Sequence, residues 1–190
     1  MTRLVAPIAG TLDAVVRLPG SKSITNRALV AAALAAGTST LSGIGRSDDI
    51  DAMLGVLQAL GVDISLQGDT ATVVGAGGQL VAGATLDARQ SGTTARFAAP
   101  LLVVAGGGVI DGHAQMRARP MAELVSALRQ LGAEIEADQL PLSVIVDGAV
   151  GGRAEIPADV SSQFISALLL AAPALPSGLE LTLTGRPVSM

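Results

Sequence analysis

The stretch "SKSITNRALVAAALAAG" (residues 21–37) decides the fold, because its pattern returns as "SGTTARFAAPLLVVAGG" (91–107) and as "SSQFISALLLAAPALPSG" (161–178). The three starts are 70 residues apart, and each opens on serine and small polar residues before an Ala/Leu-rich run. Serine ahead of an apolar run is typical of a helix N-cap, and glycine after the run is typical of a helix end. The pattern therefore predicts three equivalent helices. The predicted helix ends are Gly37, Gly106 and Gly178.

A second pair of segments, "MLGVLQALGVDISL" (53–66) and "LVSALRQLGAEIEA" (124–137), repeats at about the same distance. Each segment has leucines at helical spacing, then glycine, then an alternating strand. These leucines are Leu54, Leu57 and Leu60 in one copy, and Leu124, Leu128 and Leu131 in the other. The sequence predicts an α/β (α+β) fold of repeated βαβαββ units. We expect two full repeats, at about 21–83 and 84–150, and a partial third at 151–190.

Composition limits the kinds of partner and metal site. A net charge of −4 and an aromatic content of 1% argue against a nucleic-acid partner, which binds basic grooves and aromatic platforms. The chain has no cysteine, and His113 is its single histidine, so we expect no metal site. We also expect a cytoplasmic protein that does not enter the membrane, since its apolar runs are shorter than a bilayer span.

Basic residues are scarce but gather at the predicted helix starts. The chain has 12 Lys and Arg. Those at or near the starts are Lys22, Arg27, Arg96, Arg117 and Arg119. A helix N-terminus attracts anions through its unpaired N–H groups and its dipole, and arginine grips phosphate or carboxylate with two hydrogen bonds. If the repeats pack around a common axis, these groups form one pocket for a phosphorylated or carboxylated ligand. The alternative is that Lys22 and Arg27 are the solvated ends of amphipathic helices.

At these residues the sequence resembles a known family, the 5-enolpyruvylshikimate-3-phosphate (EPSP) synthases. "LPGSKSITNRALVAAALAAG" (18–37) is similar to the N-terminal signature of the family, and "SGTTARF" (91–97) to its Gly-Thr-x-x-Arg loop. Three further segments match in order along the chain. These are "SDDIDAMLGVLQALG" (47–61), "RARPMAELVSALRQLGA" (117–133) and "DVSSQFISALLLAAP" (159–173).

The resemblance implies a fold, a reaction and a set of partners. Family members have two globules, each of three similar units around a pseudo-threefold axis. By this resemblance, residues 1–20 belong to the other globule and residues 21–190 form one substrate-binding globule with an incomplete third unit. The family transfers the enolpyruvyl group of phosphoenolpyruvate to the 5-hydroxyl of shikimate 3-phosphate, in aromatic amino-acid biosynthesis, without a cofactor. We expect this chain to be a fragment that binds shikimate 3-phosphate but needs the second globule for activity.

The resemblance also assigns roles to individual residues. Lys22 contacts both substrates and is the expected catalytic residue, and Gln163 also reaches both ligands. Gly92 and Arg119 are expected to bind phosphoenolpyruvate. The residues expected to hold shikimate 3-phosphate are Ser23, Arg27, Ser161 and Ser162.

Several positions depart from the pattern of the family or have a plainer interpretation. Gln90 stands where the family has Asn, Gln115 where it often has Arg, and Phe97 where many relatives have Pro; we expect Gln115 and Phe97 to be ordinary variation. The acids at 48, 49 and 51 are expected to stabilise a helix start, and His113 is expected to lie on the surface. Two other functions stay open: a related transferase that acts on a UDP-sugar, and a non-catalytic binding protein.

Overall fold

The first sheet contains the strands of the first repeat. The computed structural model describes residues 3–4, 6–7, 10–16 and 18–186, and the fold is given for these residues. The first elements are α1 (Lys22–Leu34), β1 (Ala36–Ser42), α2 (Asp48–Ala59), β2 (Asp63–Gln67) and β3 (Thr70–Ala76). The strands form an antiparallel sheet in the order β1-β3-β2.

The second sheet adds a parallel strand at its edge. Its elements are β4 (Ala84–Asp87), α3 (Gly92–Ala105), β5 (Gly107–Asp111), α4 (Ala114–Arg117), α5 (Ala122–Gln130), β6 (Ala133–Ile135) and β7 (Leu142–Val146). The order is β4-β5-β7-β6, in which β4 and β5 are parallel and the other pairs are antiparallel. The part β5-β7-β6 thus repeats the arrangement β1-β3-β2 of the first sheet.

The third sheet repeats only the parallel pair. It consists of β8 (Gly152–Pro157) and β9 (Leu179–Thr184), joined by α6 (Ser162–Ala171) and a 3-10 turn, Ala172–Ala174. The fold is therefore mixed α/β, as predicted, and the full βαβαββ order occurs in the second sheet. The first sheet lacks an initial strand among the described residues. The unit boundaries and the threefold axis stay predictions.

The predicted helix starts are confirmed more fully than the predicted ends. Ser91 and Ser161 precede α3 and α6, and their side chains accept hydrogen bonds from helix N–H groups. Gly106 ends α3 in a left-handed conformation, with φ of 90°. The other two predicted ends are wrong. Helix α1 stops at Leu34 and Gly37 lies within β1, whereas α6 stops at Ala171 and Gly178 directly precedes β9.

Buried alanines and leucines explain how the helices pack. Helix α3 packs on α6, and alanines on both helices are buried, which lets their backbones approach. The second helix of one unit packs against the first strand of the next, α2 on β4 and α5 on β8. All six leucines predicted from the repeat are buried at 5% exposure or less. Burial of such a leucine stabilises the fold by roughly 1.5–3 kcal/mol.

The residue before the N-cap of α1 has to be glycine. Gly20 lies against the backbone just after β1, where a Cβ on it would overlap the carbonyl oxygen of Gly43, so this contact requires glycine. Among the described residues, no helix is both long and apolar enough to cross a membrane.

Candidate active site

Four helix starts meet at one polar cavity. The cavity has a volume of about 310 Å³. Its lining residues are Lys22, Asp49, Gln90, Gly92, Thr93, Arg96, Arg119 and Gln163. Most of them lie in the first turns of α1, α2, α3 and α6; Arg96 follows in the second turn of α3, and Gln90 and Arg119 lie before α3 and α5. Since each helix presents its positive end, and three of the side chains are cations, the cavity is suited to an anion.

Lys22 and Asp49 form an ion pair across the cavity. The Nζ of Lys22 donates to the Oδ2 of Asp49 at 2.5 Å, with the two side chains 58% and 29% exposed. The hydrogen bond and the charge of Asp49 raise the pKa of Lys22 above its ordinary value. The carbonyl oxygen of Asp49 in turn lies 3.3 Å from the hydroxyl of buried Thr94, which ties α2 to the start of α3.

Gly92 lets two guanidinium groups approach the start of α3. A Cβ on Gly92 would lie 2.8 Å from Nη1 of Arg119 and 3.9 Å from Nη1 of Arg96. Burial, and after it the charge of Arg119, lowers the pKa of Arg96 below its ordinary value. Two neighbouring cations repel each other, so an anion placed between them relieves the repulsion.

Arg96 is held by α6. Its Nη1 donates to Oε1 of Gln163 at 2.5 Å, and its guanidinium lies 5.0 Å from the ring centroid of Phe164. Its Nε is buried and finds no hydrogen-bond partner among the described residues. Burial of a donor without a partner costs free energy, which is more typical of a functional site than of a structural contact.

Arg27 joins α1 to α6 beside the cavity. Its guanidinium donates to the carbonyl oxygen of Ser23 at 2.9 Å and to the hydroxyl of Ser166 at 3.1 Å. Ser166 donates in turn to the carbonyl oxygen of Ser162. Ser161 caps α6, since its hydroxyl accepts from the N–H of Gln163 at 3.3 Å. The eight residues predicted for the site therefore fall into two groups.

One group lines the cavity. The residues of the other group do not line it, and are joined to one another by the hydrogen bonds of Arg27 or belong to the cap of α6. The lining group is Lys22, Gly92, Arg119 and Gln163. The linked group is Ser23, Arg27, Ser161 and Ser162. The two groups are adjacent in the chain at the starts of α1 and α6, which places them side by side at one face of the fold.

Arg117 and His113 lie outside this cavity. Arg117 is paired with Asp111 through two hydrogen bonds, at 3.0 Å and 2.6 Å. His113 is exposed, as predicted, and it begins the short helix α4. It lines a separate, open cavity of about 490 Å³ at the ends of β4 and β5, which shares Gln90 with the first.

Four lining residues were not among the eight predicted site residues, although Arg96 was among the cations expected to gather at helix starts: Asp49, Gln90, Thr93 and Arg96. Thr93 and Arg96 lie in the same helix start as Gly92, so their position in the motif was a usable signal. Asp49 belongs to the second helix of its unit. The prediction assigned the acids at 48, 49 and 51 to the helix start alone, whereas Asp49 at the start of α2 also lines the cavity.

Comparison with known proteins shows the family to which the chain belongs. The family model described as EPSP synthase (3-phosphoshikimate 1-carboxyvinyltransferase) matches residues 7–190. The chain belongs to the EPSP synthase family. A 3-phosphoshikimate 1-carboxyvinyltransferase of Erwinia tasmaniensis is 43% identical over 191 aligned residues. The alignment covers 96% of this chain and 44% of that protein, so the chain spans less than half the length of this EPSP synthase.

Solved structures agree with this placement. An EPSP synthase from Acinetobacter baumannii is similar with a TM-score of 0.78 and 27% identity, covering 90% of this chain and 40% of that one. The enolpyruvyl transferase NikO from Streptomyces tendae has a TM-score of 0.63 at 20% identity, covering 88% of this chain and 39% of that one. The second likeness is one of fold. Both support the mixed α/β architecture described above.

Proposed function

We propose that this chain supplies the shikimate 3-phosphate site, and part of the phosphoenolpyruvate site, of an EPSP synthase. In the proposed reaction the 5-hydroxyl gives up its proton to a base as its oxygen forms a bond to C2 of phosphoenolpyruvate, and C3 takes up a proton, giving a tetrahedral intermediate. Loss of phosphate and of a C3 proton then restores the double bond. The observation that carries the proposal is the polar cavity at which four helix starts and three cations meet.

Shikimate 3-phosphate is assigned to the group around Arg27. The guanidinium of Arg27 has more N–H donors than its bonds to Ser23 and Ser166 use, so it can also grip a carboxylate. Ser161 and Ser162 stand at the start of α6, where unpaired backbone N–H groups receive a phosphate. These positions separate the two negative ends of one ligand.

Phosphoenolpyruvate is assigned to the cavity beside Gly92. The missing side chain of Gly92 opens the start of α3 to a phosphate, and Arg119 lies against it. Arg96, with its unpartnered Nε, adds a third cation to the same wall as Lys22 and Arg119. Two substrate anions repel each other, and this concentration of positive charge offsets that repulsion in the complex.

Lys22 is the proposed catalytic residue because it lies where the two substrate positions meet. It opens α1 one residue before Ser23 and lines the cavity with Gly92. Its ammonium is held by Asp49 and can exchange this carboxylate for an oxygen of the reacting phosphate or carboxylate. Gln163, fixed by Arg96, is assigned to both ligands from the opposite side.

The second globule is the proposed partner of this chain. We assign residues 21–190 to one globule and residues 1–20 to the other, in a cytoplasmic enzyme. The described side chains before α1 support this assignment, because Leu4, Val15 and Leu18 are at least 85% exposed and gain free energy when covered. Because the chain spans 44% of its Erwinia relative, we expect it to bind shikimate 3-phosphate weakly and to turn over only with the second globule.

Two ligands that differ by one phosphate test the assignment. Shikimate 3-phosphate, and not shikimate, is expected to shift the NMR resonances of Ser23, Arg27 and Ser162 in the 190-residue chain. Equal responses to both ligands, or none at millimolar concentration, contradict the phosphate site. In a separate assay, the chain alone is expected to release no phosphate from the two substrates, and addition of a second globule from a relative is expected to restore release.

A further inference from the structure

The two aromatic side chains of this protein both lie under arginines. The sequence has two Phe and no Trp or Tyr. Arg27 of α1 lies 5.3 Å from the ring centroid of Phe97 in α3, and Arg96 of α3 lies 5.0 Å from that of Phe164 in α6. Both rings are buried, at 1% and 0% exposure. The stacks therefore run in series from α1 to α3 to α6.

Ordinary core packing does not require rings at these two positions. The rest of the buried core is built from aliphatic residues and methionine. A guanidinium taken partly out of water loses hydration, and the negative face of an aromatic ring compensates this loss while leaving the in-plane N–H groups available. A stack on one face thus orients the donor edge of the arginine.

We propose that Phe97 and Phe164 are positioning residues, which hold Arg27 and Arg96 in the orientation with which these arginines meet the anionic ligands. This proposal rests on the proposed function for the identity of the ligand. Hydrogen bonds hold each arginine at its N–H groups, Arg27 to Ser23 and Ser166, and Arg96 to Gln163. The ring supplies the second constraint, so the side-chain ordering that a ligand would otherwise impose is already present.

Phe97 is the more informative position, because it lies in the motif around Gly92 that carries the resemblance to the family. The sequence alone favoured ordinary variation at this position, whereas the structure places the ring under Arg27. Phe97 and Arg27 come from different units, so the contact couples the start of α1 to α3. The stack is a feature of this chain that the motif around Gly92 does not reveal.

Fluorinated phenylalanine tests the proposal with little change in ring shape. Because the chain has two Phe, biosynthetic replacement labels these two positions and no others. Successive fluorines weaken the negative face of the ring, so the affinity for shikimate 3-phosphate is expected to fall stepwise, by about three- to tenfold across the series. The two ¹⁹F resonances are expected to shift when the ligand binds.

Variants separate positioning from general packing. Phe97→Leu keeps an apolar side chain and is expected to weaken binding, with no further loss when Arg27→Lys is already present, because lysine lacks the planar group. Phe164→Leu is expected to behave in the same way with Arg96→Lys. Leu101→Val, in the same helix as Phe97, is the control for lost buried volume and is expected to leave affinity unchanged.

The outcomes distinguish this proposal from the proposed function. Unchanged or tighter binding across the fluorinated series, with altered unfolding alone, shows that the rings are structural and overturns the proposal. If the unmodified chain binds inorganic phosphate but not shikimate 3-phosphate, the proposed function fails, and phosphate becomes the probe for the same series. If it binds neither at millimolar concentration, both proposals fail.

Discussion

The Nζ of Lys22 lies 2.5 Å from the Oδ2 of Asp49, so the first cation of α1 is paired with the first turn of α2. The pair crosses the cavity that also contains Arg96 and Arg119. Asp49 is therefore more than a helix-start acid: it pairs with the charge of Lys22 and competes with a ligand for it. This relationship leads to the first prediction.

Asp49→Asn is expected to free Lys22 and to tighten the binding of inorganic phosphate several-fold, because a negative charge leaves the cavity. The pKa of Lys22 is expected to fall toward its ordinary value of 10.5, since the hydrogen bond and charge of Asp49 raise it. Phosphate titration and NMR titration of the lysine side chain measure the two effects. Asp51→Asn is the matched control: it removes an acid from the same helix turn, but one that pairs with Arg46.

The contribution of the pair of Lys22 and Asp49 to the free energy of unfolding changes with pH in a definite direction. A cation whose pKa is raised by folding stabilises the folded state below its unfolded pKa, and this contribution is lost as the pH rises through the folded value. The pair of Lys22 and Asp49 thus contributes at neutral pH and loses its contribution above pH 10.5. If Asp49→Asn and the parent chain keep the same difference in unfolding free energy at strongly alkaline pH, the pairing is not its cause.

Gly92→Ala is expected to weaken the binding of phosphoenolpyruvate or phosphate about tenfold while the fold is kept. The new Cβ would stand 2.8 Å from Nη1 of Arg119, the end of a flexible side chain that can move aside at little cost. The displaced guanidinium loses a charged hydrogen bond to the ligand, which is worth roughly 1.5–3 kcal/mol. Calorimetric titration measures the loss.

Gly55→Ala is the control for glycine replacement in a helix. Gly55 is exposed in α2, and a Cβ there meets nothing within 4 Å. Alanine is expected to stabilise the chain by about 0.5–1 kcal/mol through its higher helix propensity and to leave ligand binding unchanged. A loss of phosphate affinity in this variant as large as that in Gly92→Ala contradicts the steric explanation.

Arg117→Ala is expected to destabilise the chain at neutral pH and to lose this effect in acid. The hydrogen bonds from Arg117, with that from Gly112 N–H, hold the pKa of Asp111 below its ordinary value of 3.8. A carboxylate with a depressed pKa stabilises the folded state above its unfolded value, and the contribution disappears as the pH falls through the folded value. Denaturant unfolding at pH values on both sides of this range measures the difference.

The control for this ion pair lies at the edge of the third sheet. Arg153 pairs with Glu180 at 2.8 Å, with the side chains 84% and 67% exposed. Solvent screens such a pair, so Arg153→Ala is expected to change stability little at any pH. An equal, pH-independent loss in Arg117→Ala would show that the lost side-chain packing, and not the titration of Asp111, matters.

Local patterns were enough to predict much of the fold and part of the site. Serine before an apolar run predicted the caps of α3 and α6, and the shared position of Lys22, Gly92 and Arg119 at helix starts predicted that they meet. Each of these signals lies within a few residues of the helix start that it predicts. The structure places all three residues around one cavity.

Contacts between units could not be predicted in this way. The pairing of Lys22 with Asp49 and the stack of Arg27 on Phe97 join residues that are 27 and 70 positions apart. Their distance is set by how α1 packs on α2 and α3, which periodicity does not determine. Gly37 shows the same limit. Strand β1 begins at Ala36, where it pairs with β3, and α1 therefore ends before the glycine that its composition indicates as the helix end.

The serines at the starts of α1 and α3 differ in a way that stability measurements can detect. The hydroxyl of Ser91 accepts from Thr94 N–H at 3.2 Å and lies 2.8 Å from the Thr94 hydroxyl, with both residues buried. Ser91→Ala is therefore expected to cost about 1–2 kcal/mol, from the lost cap and from the buried hydroxyl left with one partner fewer.

Ser21→Ala is the matched control for this cap. Ser21 is exposed at the start of α1, and within the described part of the chain its side chain caps no helix N–H. Its replacement is expected to change stability by no more than a few tenths of a kcal/mol. The chain has no Trp or Tyr, so far-UV circular dichroism follows urea unfolding of both variants. Equal losses would mean that the two helix starts are capped alike in solution, contrary to the bonds seen at Ser91.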